Sequence, residues 1–331
     1  MTTGTDVESE LERLEGRIAK TPDSLELRVA ALRLYLRPEW RADPWRAQHA
    51  LEFVRRFPRE YVARSPLVHL HPADAPGAFH QMGALWRAHA AAHPDDADIL
   101  RGHASFLATH DSEQARSMLT RATHVHQDDG ELWVDLAGLA ESPAERLACL
   151  LEARRTDAEI PALNAQIVQA ALAVGDLELV EATARELLRE VDVAREAHGD
   201  RLRWRDLGEA MWARADSVCD TPGDASDLVF AIFGASAAAH WGHTGLGIVA
   251  LRRRDVAAAK AHLAESADVG ASPGLSSAGP SFLLARELFE AGERDAVRAY
   301  AEQCAAFWDS TELGAVIGAL DAGMPPTFPN A

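Results

Sequence analysis

Apolar residues recur three and four positions apart along almost the whole chain, the spacing of one face of an α-helix. Leu11, Leu14 and Ile18 open the pattern. The next predicted helix, 25–36, carries Leu25, Leu27, Val29, Leu32, Leu34 and Leu36, with Pro38 just beyond it. Asp43-Pro44-Trp45 starts another, with aspartate as N-cap and proline in the first turn. Pro58 stops it after Arg56. A proline-punctuated connection from Pro58 to Pro76 holds His69-Leu70-His71-Pro72 and is expected to pack along one side. Helices are predicted over 76–92, 97–109, 111–123, 130–140, 143–155, 161–174 and 177–197, the last two joined by the turn Gly175-Asp176. Asp111 with Gln114, and Ser142 with Glu145, give capping-box starts. Past His198-Gly199-Asp200 the helical pattern resumes over 201–219, 225–252, 255–266, 281–291, 296–308 and 312–320. No stretch of any length alternates as a strand does.

The pattern also repeats. His93-Pro94-Asp95-Asp96-Ala97-Asp98-Ile99-Leu100 returns as His126-Gln127-Asp128-Asp129-Gly130-Glu131-Leu132-Trp133, an offset of 33 (126 − 93). The second helices align better at 31 (150 − 119), where Leu119, Met118 and Ala122 meet Leu150, Cys149 and Ala153. A two-helix unit of this size cannot bury its own apolar face, so units stack. The expected fold is all-α, a right-handed solenoid of stacked helix hairpins. Its expected organisation is an N-terminal region 1–75, repeats over 76–220 and further repeats over 221–331, as one continuous solenoid. Thr221-Pro222-Gly223-Asp224, the strongest turn signal, marks the sub-domain boundary.

Leu246-Gly247, Ala250, Ala259 and Leu263 resemble the tetratricopeptide (TPR) signature, and Trp133 and Leu136 fit its first-helix aromatic and leucine. Ala137 stands where the signature has glycine, and Gln127 where it has proline. The chain is also similar to a group of bacterial TPR-like proteins of unassigned activity. That likeness rests on Ala84-Leu85-Trp86, Pro94-Asp95-Asp96, Ser272-Pro273, Ser277, Gly279-Pro280, Leu284-Ala285 and Phe307-Trp308 and covers about residues 50 to 310. The resemblance implies an interaction scaffold and supplies no catalytic residues.

Charge narrows the partners. The 331 residues carry a net charge of −18, which disfavours nucleic acid and anionic membrane. The basic run Arg252-Arg253-Arg254 reads as a solvated helix end. Cys149, Cys219 and Cys304 are far apart with no CxxC, which fits a reducing compartment. The first ten residues are polar and acidic, and the apolar run 228–239 is too short to span a bilayer. A cytoplasmic location is expected.

Three groups of residues can carry chemistry. Eight of the fourteen histidines cluster as His69/His71, His89/His93, His124/His126 and His240/His243. His240 and His243, around Trp241 in a helix rich in small residues, are the pair best spaced to share a metal with a third ligand. The loop 270–280 exposes Ser272, Ser276 and Ser277, and its glycines at 270, 274 and 279 free backbone amides for an anion or a peptide carboxylate. Among Trp40, Trp45, Trp86, Trp133, Trp204, Trp212, Trp241 and Trp308, most are expected in the core and one or two on a concave face. No catalytic residue is identified and no cofactor is expected.

The leading expectation is a cytosolic scaffold that binds a neutral or basic protein segment in its concave groove through first-helix residues. The alternative is a small-molecule- or metal-binding protein or enzyme of a specialised bacterial pathway, its pocket near His240, His243 and the 270–280 loop. A third reading is a homo-oligomer whose exposed helix faces pair.

Overall fold

The computed structural model describes residues 4–35, 44–156, 163–198, 224–269, 275–276 and 279–330. The expected helix 201–219, the turn residues Thr221, Pro222 and Gly223, the loop serines Ser272 and Ser277, and Trp40, Trp204, Trp212 and Cys219 lie outside them. The described residues form α-helices and no strand. In chain order these are α1 (Gly4–Lys20), α2 (Leu25–Leu34), α3 (Pro44–Arg56), α4 (Pro76–Ala92), α5 (Ala97–Leu107), α6 (Ser112–Val125), α7 (Gly130–Gly138) and α8 (Pro143–Thr156). They continue as α9 (Leu163–Val174), α10 (Leu177–His198), α11 (Asp224–Arg252), α12 (Val256–Ala267), α13 (Leu283–Glu290), α14 (Arg294–Cys304) and α15 (Thr311–Asp321). The chain divides into two compact units, residues 1–140 with 155–157, and residues 141–154 with 158–331.

In the first unit each helix from α1 to α7 packs on the next, and α5 also touches α7. Acidic caps start the helices by accepting from orphan backbone N–H groups. Asp96 accepts from Ile99 N–H (3.1 Å), Asp111 from Gln114 (3.0 Å) and Asp129 from Glu131 (3.1 Å) and Leu132 (3.3 Å). The echoed octapeptide therefore builds the same turn twice. The second copy is stitched to the first, because His126 Nε2 donates to the Asp95 carbonyl at 2.6 Å. The connection after α3 packs along one side as expected: it holds a short 3-10 turn, Tyr61–Arg64, and buries Ala63, Val68 and Leu70 with Trp86, Phe53 and Met82. Gly102 on α5 faces the Trp86 ring so closely that a Cβ there would overlap it.

In the second unit, α9, α11 and α13 touch in series, with α10 against α9 and α11, α12 against α11 and α13, and α14 against α12, α13 and α15. One apolar core runs through α11–α15 and includes Ile248, Leu263, Phe282, Leu288 and Tyr300. Gly247 is the point of closest approach: a Cβ there would overlap Leu284 and lie 3.2 Å from the His262 Cβ. Gly247→Val is therefore expected to destabilise by about 1–3 kcal/mol through overpacking. Urea unfolding midpoints measure it, and a midpoint equal to that of the unaltered chain would show that α11 and α13 do not approach as described.

The helix expected over 296–308 ends at Cys304, and Trp308 instead packs over Gly279, whose φ of +82° needs glycine. No described helix is long and apolar enough to cross a membrane.

Candidate functional site

The small-residue helix α11 places His240 in the middle of the second unit, fully buried. Its Nδ1 donates to the Ser266 carbonyl at 2.8 Å, and its Nε2 accepts from the Ser281 N–H at 2.9 Å. Both ring nitrogens are thus taken by backbone groups. Burial holds the ring neutral, with a pKa lowered to about 4. An imidazole so placed has no lone pair for a metal. It ties α11 to the end of α12 and to the start of α13.

His243 faces a different partner, its Nδ1 lying 3.1 Å from Nδ1 of His262 on α12. The two histidines expected to share a metal therefore do not converge. Among the described residues no three His, Cys, Asp or Glu side chains are grouped to hold a metal ion. In two of the other clusters the rings bond to carbonyls instead: His89 to Val54 (3.1 Å), His124 to Thr120 (2.6 Å). His69 Nε2 lies 3.4 Å from Ser105 Oγ, but that hydroxyl donates to the Arg64 carbonyl at 3.0 Å, so the pair is not a nucleophile and base.

Ser281, which sequence reasoning did not single out, is where these bonds meet. Its N–H goes to His240, its carbonyl accepts from the Tyr300 hydroxyl at 2.7 Å, and its Oγ donates to the Asn330 carbonyl at 3.3 Å. Of the loop serines, Ser276 is exposed. Gly279 is covered by Trp308 and does not belong to an open cradle of amides.

Beside this hub lies an open groove of about 450 Å³. Leu172 and Ala173 of α9, Trp241 and Ile248 of α11, and Leu283 and Arg286 of α13 line it. Trp241 is half-buried on the groove wall. At the rim, Arg252 forms a two-pronged ion pair with Glu287 (2.8 and 2.7 Å). Arg253, exposed at the end of α11, pairs with Glu181 on α10 (2.8 and 2.6 Å), so two members of the basic run are neutralised locally. Arg286 has no carboxylate partner among the described residues and presents its donors to the groove.

In the first unit a depression of about 770 Å³ is lined by His69, His71, His110, Arg46 and Tyr35, among others. Arg46 is buried and donates to the His69 carbonyl at 2.8 Å, which leaves it fixing the wall. His71 and His110 are exposed.

Thiol chemistry is disfavoured at Cys304. It is buried, and burial pushes its pKa up to about 12. In a Cys219→Ser background, Cys304 is expected to resist Ellman's reagent at pH 8 until the chain is unfolded, and rapid labelling of Cys304 in the folded protein, located by peptide mapping, would contradict the burial.

The chain matches no protein-family model and no curated protein.

Proposed function

We propose that the chain is a TPR-like scaffold, a right-handed solenoid of hairpins whose first helices together hold a protein or peptide segment. The observation that carries this reading is the groove of the second unit. Its walls come from α9, α11 and α13, with Leu177 from the start of α10, and not from any one pair of helices. A surface assembled in this way follows the run of the repeats and suits an extended ligand. Leu172, Trp241 and Leu283 supply apolar anchors, and a well-seated aromatic or aliphatic side chain there contributes about 1.5–3 kcal/mol. Arg286 supplies donors for a carbonyl or carboxylate of the segment. The net charge of −18 favours a neutral or basic partner by long-range attraction. The proposed setting is the bacterial cytoplasm, with no cofactor.

Against a metal at His240 stands the use of both its ring nitrogens by the backbone.

Selection of a displayed random-peptide library on the immobilised full chain tests the proposal. Enriched sequences are expected to bind the full chain and to lose at least tenfold in affinity, about 1.4 kcal/mol, on Leu172→Glu, which places a charge in the apolar wall. Enriched sequences indifferent to Leu172→Glu, or no enrichment at all, would remove the groove from the account.

A further inference from the structure

Past α15 the chain turns back on the second unit. Gly323 makes the turn with φ of +70°, and its carbonyl accepts from Arg294 at 3.2 Å. The chain continues without helix as Met324-Pro325-Pro326-Thr327-Phe328-Pro329-Asn330. Three of these seven residues are proline, which fixes their φ and leaves little freedom to lose on docking. The Phe328 ring stacks on Phe282 with centroids 6.1 Å apart and meets Phe289 of α13 edge-on at 5.7 Å. Asn330 then accepts the Ser281 hydroxyl bond and forms part of the groove wall.

An extended, proline-rich segment with one aromatic ring is thus already seated along α13, and its end borders the groove. The Phe328 ring is half-buried, and the bond from the Ser281 hydroxyl to Asn330 is long, at 3.3 Å. We infer that residues 324–330 fill an aromatic subsite that borders one end of the groove, and that the partner carries a proline-flanked aromatic residue that takes the place of Phe328. This rests on the scaffold reading and adds to it the chemistry of the partner and a means of restraint. The subsite formed by Phe282, Phe289 and the Ser281 hydroxyl recognises an aromatic side chain followed by a main-chain carbonyl. Because the segment is tethered, its effective concentration at that subsite is about millimolar, so it screens out weak ligands. A partner that also engages Leu172 and Trp241 has contacts the tethered segment lacks, and displaces it.

The test uses a fluorescein-labelled peptide of residues 322–330 and three forms of the protein: the intact chain, Phe328→Ala, and a chain shortened after Gly323. Circular dichroism identifies which variants keep the fold, and two variants are used so that misfolding of one does not decide the outcome. Fluorescence anisotropy is expected to show binding to the variants at least tenfold tighter than to the intact chain. The same peptide with alanine for its phenylalanine is expected not to bind. Library-selected sequences are expected to bind the shortened chain more tightly than the intact one and to share a proline-flanked aromatic residue. A labelled peptide that fails on both folded variants, while library sequences still bind and still depend on Leu172, overturns this inference and leaves the scaffold reading standing. Library sequences that bind intact and shortened chains equally overturn it too. Failure of both peptide classes overturns the inference and the scaffold reading together.

Discussion

His240→Ala is expected to destabilise the second unit by about 3–6 kcal/mol, one of the largest effects of any single substitution in the chain. Three losses combine. The Ser266 carbonyl and the Ser281 N–H are left unpartnered in a buried setting, each costing about 1–3 kcal/mol. A cavity replaces the fully buried ring. The same residue makes stability depend on pH, with a sign set by its environment. Folded, the imidazole titrates at about 4; unfolded, at about 6.5. Below pH 6.5 the unfolded chain therefore binds a proton that the folded chain refuses. The contribution is fully present above about pH 6.5 and is lost as the pH falls toward 4, by roughly 3 kcal/mol. Hydrogen exchange of α11 and α12 amides, followed by mass spectrometry from pH 7.5 to 4.5 after correction for intrinsic rates, measures local stability. Unaltered protein is expected to lose protection across this range, and His240→Ala to show low protection with a shallower slope. Equal slopes would mean that His240 is not the buried, neutral group described.

Trp86→Ala is expected to cost the first unit about 3–5 kcal/mol, the range for deleting a buried large aromatic. Trp86 is 1% exposed and packs on Gly102 of the neighbouring helix, where its ring occupies the space of a Cβ. His103 lies with its ring nearly parallel to the indole, 6.4 Å away at 9°. The fit is specific enough to be tested from both sides. Gly102→Ala is expected to cost about 1–3 kcal/mol in the unaltered chain by driving a methyl group into the indole. In a Trp86→Leu background the obstacle is gone, and the same change is expected to cost much less. Urea unfolding of the two single variants and the double variant completes the cycle. Strictly additive costs would show that the two residues do not share this contact.

Helices and their starts are legible in the sequence because their causes are local. An aspartate or serine before an apolar period accepts from N–H groups two or three residues on, as Asp96, Asp129 and Ser310 do. The echo at 93–100 and 126–133 is legible for the same reason, since each copy carries its own cap. The small-residue pattern of Gly247, Ala259 and Leu263 signals a close approach of α11 to α12, and a Cβ at Gly247 would lie 3.2 Å from the His262 Cβ; its tighter contact, with Leu284 of α13, has no local signal.

The site is less legible because its causes are distant. His240 and His243 look like a ligand pair at helical spacing. Their partners, however, are Ser266 and Ser281, 26 and 41 residues away, and His262, 19 away, none at a spacing that the helical period predicts. Gly279 reads in the sequence as a residue that frees an amide, but it is needed for its positive φ and for the Trp308 ring above it. Arg286, Leu172 and Asn330 meet at the groove only through the packing order of α9, α11 and α13. The sequence does hold one signal for the last segment: a lone phenylalanine among three prolines after the final helix suggests a stretch laid on a surface, not a further repeat.

Site-specific photocrosslinking gives the most direct test of the groove as the binding surface. Ala173 on the groove wall is replaced by p-benzoylphenylalanine in the full chain, and Val193, an exposed α10 residue that does not line the groove, serves as control. On irradiation with a library-selected peptide, the Ala173 position is expected to form the covalent adduct, and the Val193 position little or none. Adduct formation at Val193 with none at Ala173 would place the bound segment elsewhere and contradict the account.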